Sequence, residues 1–128
     1  MLSIFIPSYN HARFVTDAIA SAHAVNVSGK QIYVIDDAST DNSVEVIESY
    51  LRTVKADDVI FIRKPKNKGL VDSIIIFLGL CTSEYMYLIS SDDIAVPAGV
   101  AHLVAEMNAT PTLQFIIGGG MNLIVYRT

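Results

Sequence analysis

Four short stretches of this sequence hold side chains that could act together on one ligand. Asp36 and Asp37 stand side by side, followed by Ala38-Ser39-Thr40-Asp41. Asp92 and Asp93 form a second acidic pair after Ser90-Ser91. Pro7-Ser8-Tyr9-Asn10-His11 sets an aromatic ring among small polar groups, and Arg63-Lys64-Pro65-Lys66-Asn67-Lys68-Gly69 is basic. Carboxylates suit a hard divalent cation, which takes a carboxylate or two together with phosphate oxygens and water. Such a cation stabilises charge developing on a diphosphate leaving group. A carboxylate also accepts hydrogen bonds from a nucleobase N–H or a ribose hydroxyl, and an aromatic ring stacks on a base. The residue types therefore point to a nucleoside diphosphate, provided that the stretches converge.

Convergence depends on the elements between them. Each stretch directly follows a short apolar run: Leu2 to Ile6, Gln31 to Ile35, Val59 to Ile62 and Tyr85 to Ile89. These runs are apolar on both alternating faces, the pattern of parallel strands covered on two sides. Helical stripes lie between them. The first is Phe14, Val15, Ala18, Ile19 and Ala22; the second is Val44, Ile47, Leu51 and Val54, with Ser39 or Thr40 expected as N-cap and Asp41 in the first turn. Leu70 to Leu80 is apolar nearly all round, which predicts a buried helix. Pro97 opens a fourth helix with the stripe Val100, Leu103, Val104 and Met107. Further strands are expected over Leu113 to Ile117 and Asn122 to Tyr126, with Gly118-Gly119-Gly120 as the turn between them. The alternation predicts one α/β domain over residues 1–128, a doubly wound, mostly parallel sheet with helices on both faces. Strand order 3-2-1-4 would bring the ends of strands 1, 2 and 4 together, where such sheets bind ligands.

Composition narrows the function classes. A formal net charge of -4 argues against a nucleic-acid partner. Cys81 is the single cysteine, so no internal disulfide forms, which fits a reducing compartment; Cys81 itself reads as a small buried hydrophobe. The apolar stretch from Leu70 to Ile89 is interrupted by Asp72, Ser73, Thr82, Ser83 and Glu84, and reads as helix, turn and strand rather than a membrane span. No basic lead or cleavage-site pattern marks a signal peptide at Met1. The expected location is cytoplasmic, or peripheral at the inner face of the membrane. Hydrophobic residues make up 52% of the chain, and the excess predicts apolar surface and self-association. His11, His23 and His102 lack metal-ligand spacing and read as surface or helix-packing residues. The basic loop reads as solvated, or as a phosphate-steering patch.

Ile4-Phe5-Ile6-Pro7-Ser8-Tyr9-Asn10, Val34-Ile35-Asp36-Asp37-Ala38-Ser39-Thr40-Asp41, Asn67-Lys68-Gly69 and Asp92-Asp93-Ile94 with Pro97 follow one another in this order. Together they resemble the motifs of family 2 glycosyltransferases of the GT-A fold, over about residues 2 to 107. The resemblance implies a nucleotide-sugar-binding, Rossmann-like half. Asp37 would take the base, Tyr9 would stack on it, and Pro7 would supply backbone beside it. Asp36 would support that loop. Asp92 would ligate Mn2+ or Mg2+ and touch the diphosphate, with Asp93 nearer the ribose and sugar. The implied function is inverting transfer of a sugar from a nucleoside diphosphate to an acceptor hydroxyl on a saccharide, lipid or protein, as in polysaccharide synthesis.

The sequence departs from the family pattern at three places. Ser90 stands where the family often has the first Asp of its metal signature. Ile74 and Ile75 stand where an Arg or Asn is common. Glu106, in a predicted helix, is the only acidic residue after Asp93, so the family's catalytic base is absent from this chain. The expectation is a domain truncated before its acceptor-binding half; the alternative is a non-catalytic nucleotide-binding module. A signalling receiver domain is excluded by position, since it needs an acidic pair after the first strand and an Asp after the third, where Tyr9-Asn10 and Lys64 stand.

Overall fold

The computed structural model describes residues 1–119. The elements alternate: β1 (Leu2–Ser8), α1 (Val15–His23), β2 (Gln31–Asp36), α2 (Ser43–Val54), β3 (Val59–Arg63), α3 (Gly69–Leu80), β4 (Tyr85–Leu88) and α4 (Pro97–Ala109). The four strands form one parallel sheet in the order β3-β2-β1-β4. Direction reverses at β1: the chain builds outward through β2 and β3, then returns to add β4 on the other side of β1. A crevice forms beyond the strand ends at such a switch point.

The two faces of the sheet have different covers. Ile4, Ile6, Ile32 and Val34 alternate onto one face and pack with Val15, Ala18, Ile19 and Ala22 of α1, Ile47 of α2 and Val100 of α4. Phe5, Tyr33 and Ile35 point to the other face and meet Phe77 of α3. Phe5 and Phe77 stack with ring centroids 4.8 Å apart, and Tyr33 meets Phe77 edge-on at 5.4 Å. Aromatic pairs of this kind contribute about 1 kcal/mol each beyond the area they bury.

Four expectations need correction. The helix Leu70–Leu80 buries one face only, through Ser73 and Phe77; Val71, Ile75 and Leu78 are exposed. A uniformly apolar helix has no sequence signal for which side meets water, and on this face of the sheet α3 is the only helix among the described residues. Met86 and Leu88 of β4 lie on the same face and are also exposed. The second helix starts later than Ser39 or Thr40: Asn42 occupies the cap, and the Asp41 carboxylate accepts the Ser43 backbone N–H at 2.9 Å and its hydroxyl at 2.5 Å. Residues 38–41 are instead held in the loop by longer-range contacts. Leu113–Ile117 has no strand, because no neighbouring segment among the described residues pairs with it. The strand expected over Asn122 to Tyr126, and Gly120 of the glycine turn, lie outside the described residues.

Candidate functional site

A cleft of about 340 Å³ opens beyond the carboxyl ends of β1 and β4. The end of β1 contributes Pro7, Ser8, Tyr9 and His11; the end of β2 contributes Asp37. Leu70 and Ser73 of α3 form one wall, and Ser90 and Ser91 after β4 form the opposite one. Four sequence stretches, spread from Pro7 to Ser91, thus meet, as the strand order requires.

The loop after β1 is locked to the loop after β2. Asn10, in the left-handed backbone region at φ 53°, directs its Oδ1 to the backbone N–H groups of Thr40 and Asp41, at 2.8 and 3.2 Å. Its own backbone N–H donates to Ser39 Oγ at 2.9 Å. Asn tolerates this conformation because its short polar side chain bonds locally. Asp36 is fully buried and turned away from the cleft, where its two oxygens accept the Ser39 backbone N–H at 2.8 Å and the Ser39 hydroxyl at 2.6 Å. Ala38 is also left-handed, at φ 57°.

Asp37 is the best-held group of the site. Its Oδ1 accepts the Lys68 backbone N–H at 2.9 Å and the Lys64 ammonium at 2.6 Å, and its Oδ2 accepts the Gly69 backbone N–H at 2.8 Å. Lys64 reaches on to Asp72 at 2.8 Å and Ser73 Oγ at 3.1 Å. Burial alone would raise the Asp37 pKa, but the Lys64 ammonium and the two backbone donors outweigh it and hold the carboxyl below its ordinary value. Burial likewise opposes the charge on Lys64, and hydrogen bonds to Asp37 and Asp72 overcome it, so its pKa is raised. Both groups therefore stay ionised. A carboxylate oxygen has two lone pairs. Oδ1 of Asp37 uses both of its own, whereas Oδ2 uses one.

Lys64 corrects the reading of the basic loop as solvated. It is 7% exposed, while Arg63, Lys66 and Lys68 are exposed. The signal that could have found it is strand register: Asp36 pairs with Arg63, so the next residues, Asp37 and Lys64, emerge side by side.

The β4 side is more open. Asp92 lies at the rim, its side chain about half exposed, and accepts a hydrogen bond from the Ser90 hydroxyl. That bond, opposed by partial burial and aided by nearby His11, lowers the Asp92 pKa. Asp93 is exposed; its backbone N–H donates to the Ser90 carbonyl at 3.0 Å. Ser21 of α1 steadies this segment by accepting the Ala95 backbone N–H at 2.9 Å. Tyr9, Pro7 and Asp37 thus share the cleft, Asp92 stands at its edge, and Asp36 and Asp93 lie outside its lining. Sequence reasoning missed two further wall residues. His11, read as a surface or packing residue, lies in the lining with Nδ1 2.7 Å from Ser91 Oγ. Ser8 Oγ is buried in the same wall and has no hydrogen-bond partner among the described residues. Ile74 packs toward Phe77 and Ile75 is exposed, so neither position gives the site a polar group.

A parallel α/β sheet with a cleft at its switch point defines the Rossmann-like class of folds. Within that class the chain belongs to glycosyl transferase family 2, whose pattern it matches over residues 3–122. A glycosyltransferase of uncharacterised specificity from Rickettsia felis is 32% identical over 126 residues, covering 97% of this chain and 20% of its own length. The chondroitin synthase of Escherichia coli is 25% identical, covering 96% of this chain and 18% of its own. The chain thus spans about a fifth of the length of these relatives. Solved structures share the fold. A mannosyltransferase from Pyrobaculum calidifontis, in complex with GDP-Man and Mn2+, superposes with a TM-score of 0.79 at 18% identity, over 88% of this chain and 33% of that one. TarS of S. aureus, in complex with UDP-GlcNAc, gives 0.76 at 18% identity, over 95% and 37%.

Proposed function

We propose that this chain is the donor-binding part of an inverting glycosyltransferase that takes a nucleoside diphosphate sugar in the cleft and passes the sugar to an acceptor hydroxyl. One observation carries the reading: Asp37, buried and kept ionised, lines the same cleft as the exposed ring of Tyr9 and has one oxygen with a lone pair to spare. That pairing suits a flat heterocycle with an N–H at its edge. Tyr9 covers the face of the base, Pro7 adds backbone beside it, Asp36 keeps the loop in place, and Ser8 Oγ offers a hydrogen bond from the wall. Asp93 is assigned to the ribose and sugar.

Among the described residues no three His, Cys, Asp or Glu side chains cluster closely enough to hold a metal by themselves. The residues present nevertheless fit a Mn2+ or Mg2+ that is shared with a ligand. Asp92 offers an ionised carboxylate at the rim, and such ions take a carboxylate or two and complete their shell with phosphate oxygens and water. When bound, the metal would stabilise the charge developing on the diphosphate. The relatives in complex with GDP-Man and UDP-GlcNAc support a sugar nucleotide as donor.

The catalytic base and the acceptor site are assigned to residues outside this chain. Glu106, the one acid after Asp93, is exposed on α4 near His102. The acceptor would be a saccharide, lipid or protein, and the exposed side chains Val71, Ile75, Met86 and Leu88 mark a face for further sequence or a second copy. No helix among the described residues is long and apolar enough to cross a membrane; the proposed location is cytoplasmic, or peripheral at the inner membrane face. A second reading is a module that binds a nucleotide without transferring a sugar. Calorimetric titration with UDP and GDP, with and without Mn2+, tests both. Binding that Mn2+ strengthens is expected, and hydrolysis of a bound sugar nucleotide separates an enzyme domain from a binding module. No binding of either nucleotide at millimolar concentration would overturn both readings.

A further inference from the structure

His11 belongs to none of the roles assigned above, yet its ring is held firmly at the mouth of the cleft. Its Nδ1 lies 2.7 Å from Ser91 Oγ, a hydroxyl buried to 1% exposure. The edge of the ring meets Phe14, with centroids 6.4 Å apart at 79°. These contacts aim Nε2 at Oδ2 of Asp92, across 4.0 Å. That distance is too long for a hydrogen bond. It falls just under the span of about 4.2 Å that two coordination bonds of about 2.1 Å reach when their ligands lie on opposite sides of one cation. The other oxygen of Asp92 is occupied by the Ser90 hydroxyl.

We propose that His11 is a ligand of the divalent cation: Nε2 of His11 and Oδ2 of Asp92 hold it together at the rim of the cleft. The inference rests on the nucleotide-sugar reading and deepens it, since it names a protein ligand from the loop after β1. The Ser91 hydroxyl can donate to Nδ1 or accept from it, and the ligating tautomer is the one in which it accepts. When Nδ1–H donates to Ser91 Oγ, the lone pair of Nε2 faces Asp92, and a ligating histidine is oriented by its other nitrogen in this way. Two lone-pair-bearing atoms facing each other gain nothing without a positive charge between them. A nitrogen ligand also shifts preference from Mg2+ toward transition-metal ions. His23 sits at the far end of α1, 2.7 Å from Asp58, and His102 lies on α4 beside Glu106, so neither competes for this position.

Electron spin-echo spectroscopy of bound Mn2+, in the presence of UDP or GDP, reads ligation directly. The unaltered chain is expected to show a 14N coupling that changes to the 15N pattern when the chain is grown on 15N-histidine. The coupling is expected to vanish in His11→Gln, to persist in His23→Gln, and the Mn2+ affinity of His11→Gln to fall about tenfold or more. The labelling result stands even where His11→Gln fails to fold. Mn2+ bound with nucleotide but without histidine nitrogen coupling, or a coupling that survives in His11→Gln, would overturn the role of His11 alone. Absence of any Mn2+-dependent nucleotide binding would overturn the nucleotide-sugar reading along with it.

Discussion

The two sides of the cleft are built differently. Around Asp37, buried charges are paired and each carboxylate oxygen is engaged: Lys64, Lys68 and Gly69 converge on one side chain. Around Asp92 the carboxylate is half exposed, and only Ser90 and the distant His11 nitrogen approach it. The difference teaches that the end assigned to the base is organised before ligand arrives, whereas the end assigned to the diphosphate is completed by the ligand and its cation. A preorganised contact loses less entropy on binding, so the Asp37 side should set affinity. The open side should set the metal dependence.

Removing the centre of the paired side should have the largest effect. Lys64→Ala leaves Asp37 buried without its counter-ion, and breaking a buried pair from one side costs about 3 kcal/mol or more. Urea denaturation should show that loss, and a midpoint near that of the wild type would mean the pair is not stabilising. Asp37→Asn should weaken UDP or GDP binding by about ten- to a hundredfold, the worth of a hydrogen bond to a charged group, as read by calorimetry. Tyr9→Ala should cost about tenfold in the same titration through lost stacking, with Tyr9→Phe close to wild type. Asp92→Asn should change stability by less than about 0.5 kcal/mol, since the group is half exposed and screened. The same variant should abolish the enhancement of nucleotide binding by Mn2+.

The pairing also fixes a pH window. The Asp37 pKa is lowered, so its contribution is present above the ordinary carboxylate range and lost as pH falls through the depressed value. The Lys64 pKa is raised, so its contribution is present below the ordinary ammonium range and lost as pH rises through the elevated value. Stability should therefore be flat between about pH 4 and pH 10 and fall outside it. Lys64→Ala should weaken the alkaline limb and leave the part that belongs to Tyr50 and Tyr87, whose pKa values burial raises.

The fold was largely legible in the sequence. Four runs apolar on both faces, each followed by a helical stripe, allow few arrangements other than a doubly wound parallel sheet. Polar residues just after those runs land at the switch point, which is why Tyr9 and Asp37 both line the cleft. Lys64 is not legible in this way, because a basic loop looks the same whether its lysines are solvated or turned inward; only the register of β2 against β3 decides. His11 escaped because its partners, Ser91 and Asp92, are 80 or more residues away. The exposed face of α3 escaped because an all-apolar helix has no polar side to reveal where water lies. The segment over Leu113 to Ile117 has strand composition, but a strand also needs a neighbour to pair with.

Amide chemical-shift mapping of the 15N-labelled chain with UDP and GDP tests the central claim most directly. Perturbations are expected to centre on Tyr9, Asp37, Lys68, Gly69 and Ser91, with paramagnetic broadening spreading from Asp92 once Mn2+ is added. Shifts confined to Tyr85, Tyr87, Leu103 and Met107, which line a separate groove between β4 and α4, or none with either nucleotide, would contradict that claim.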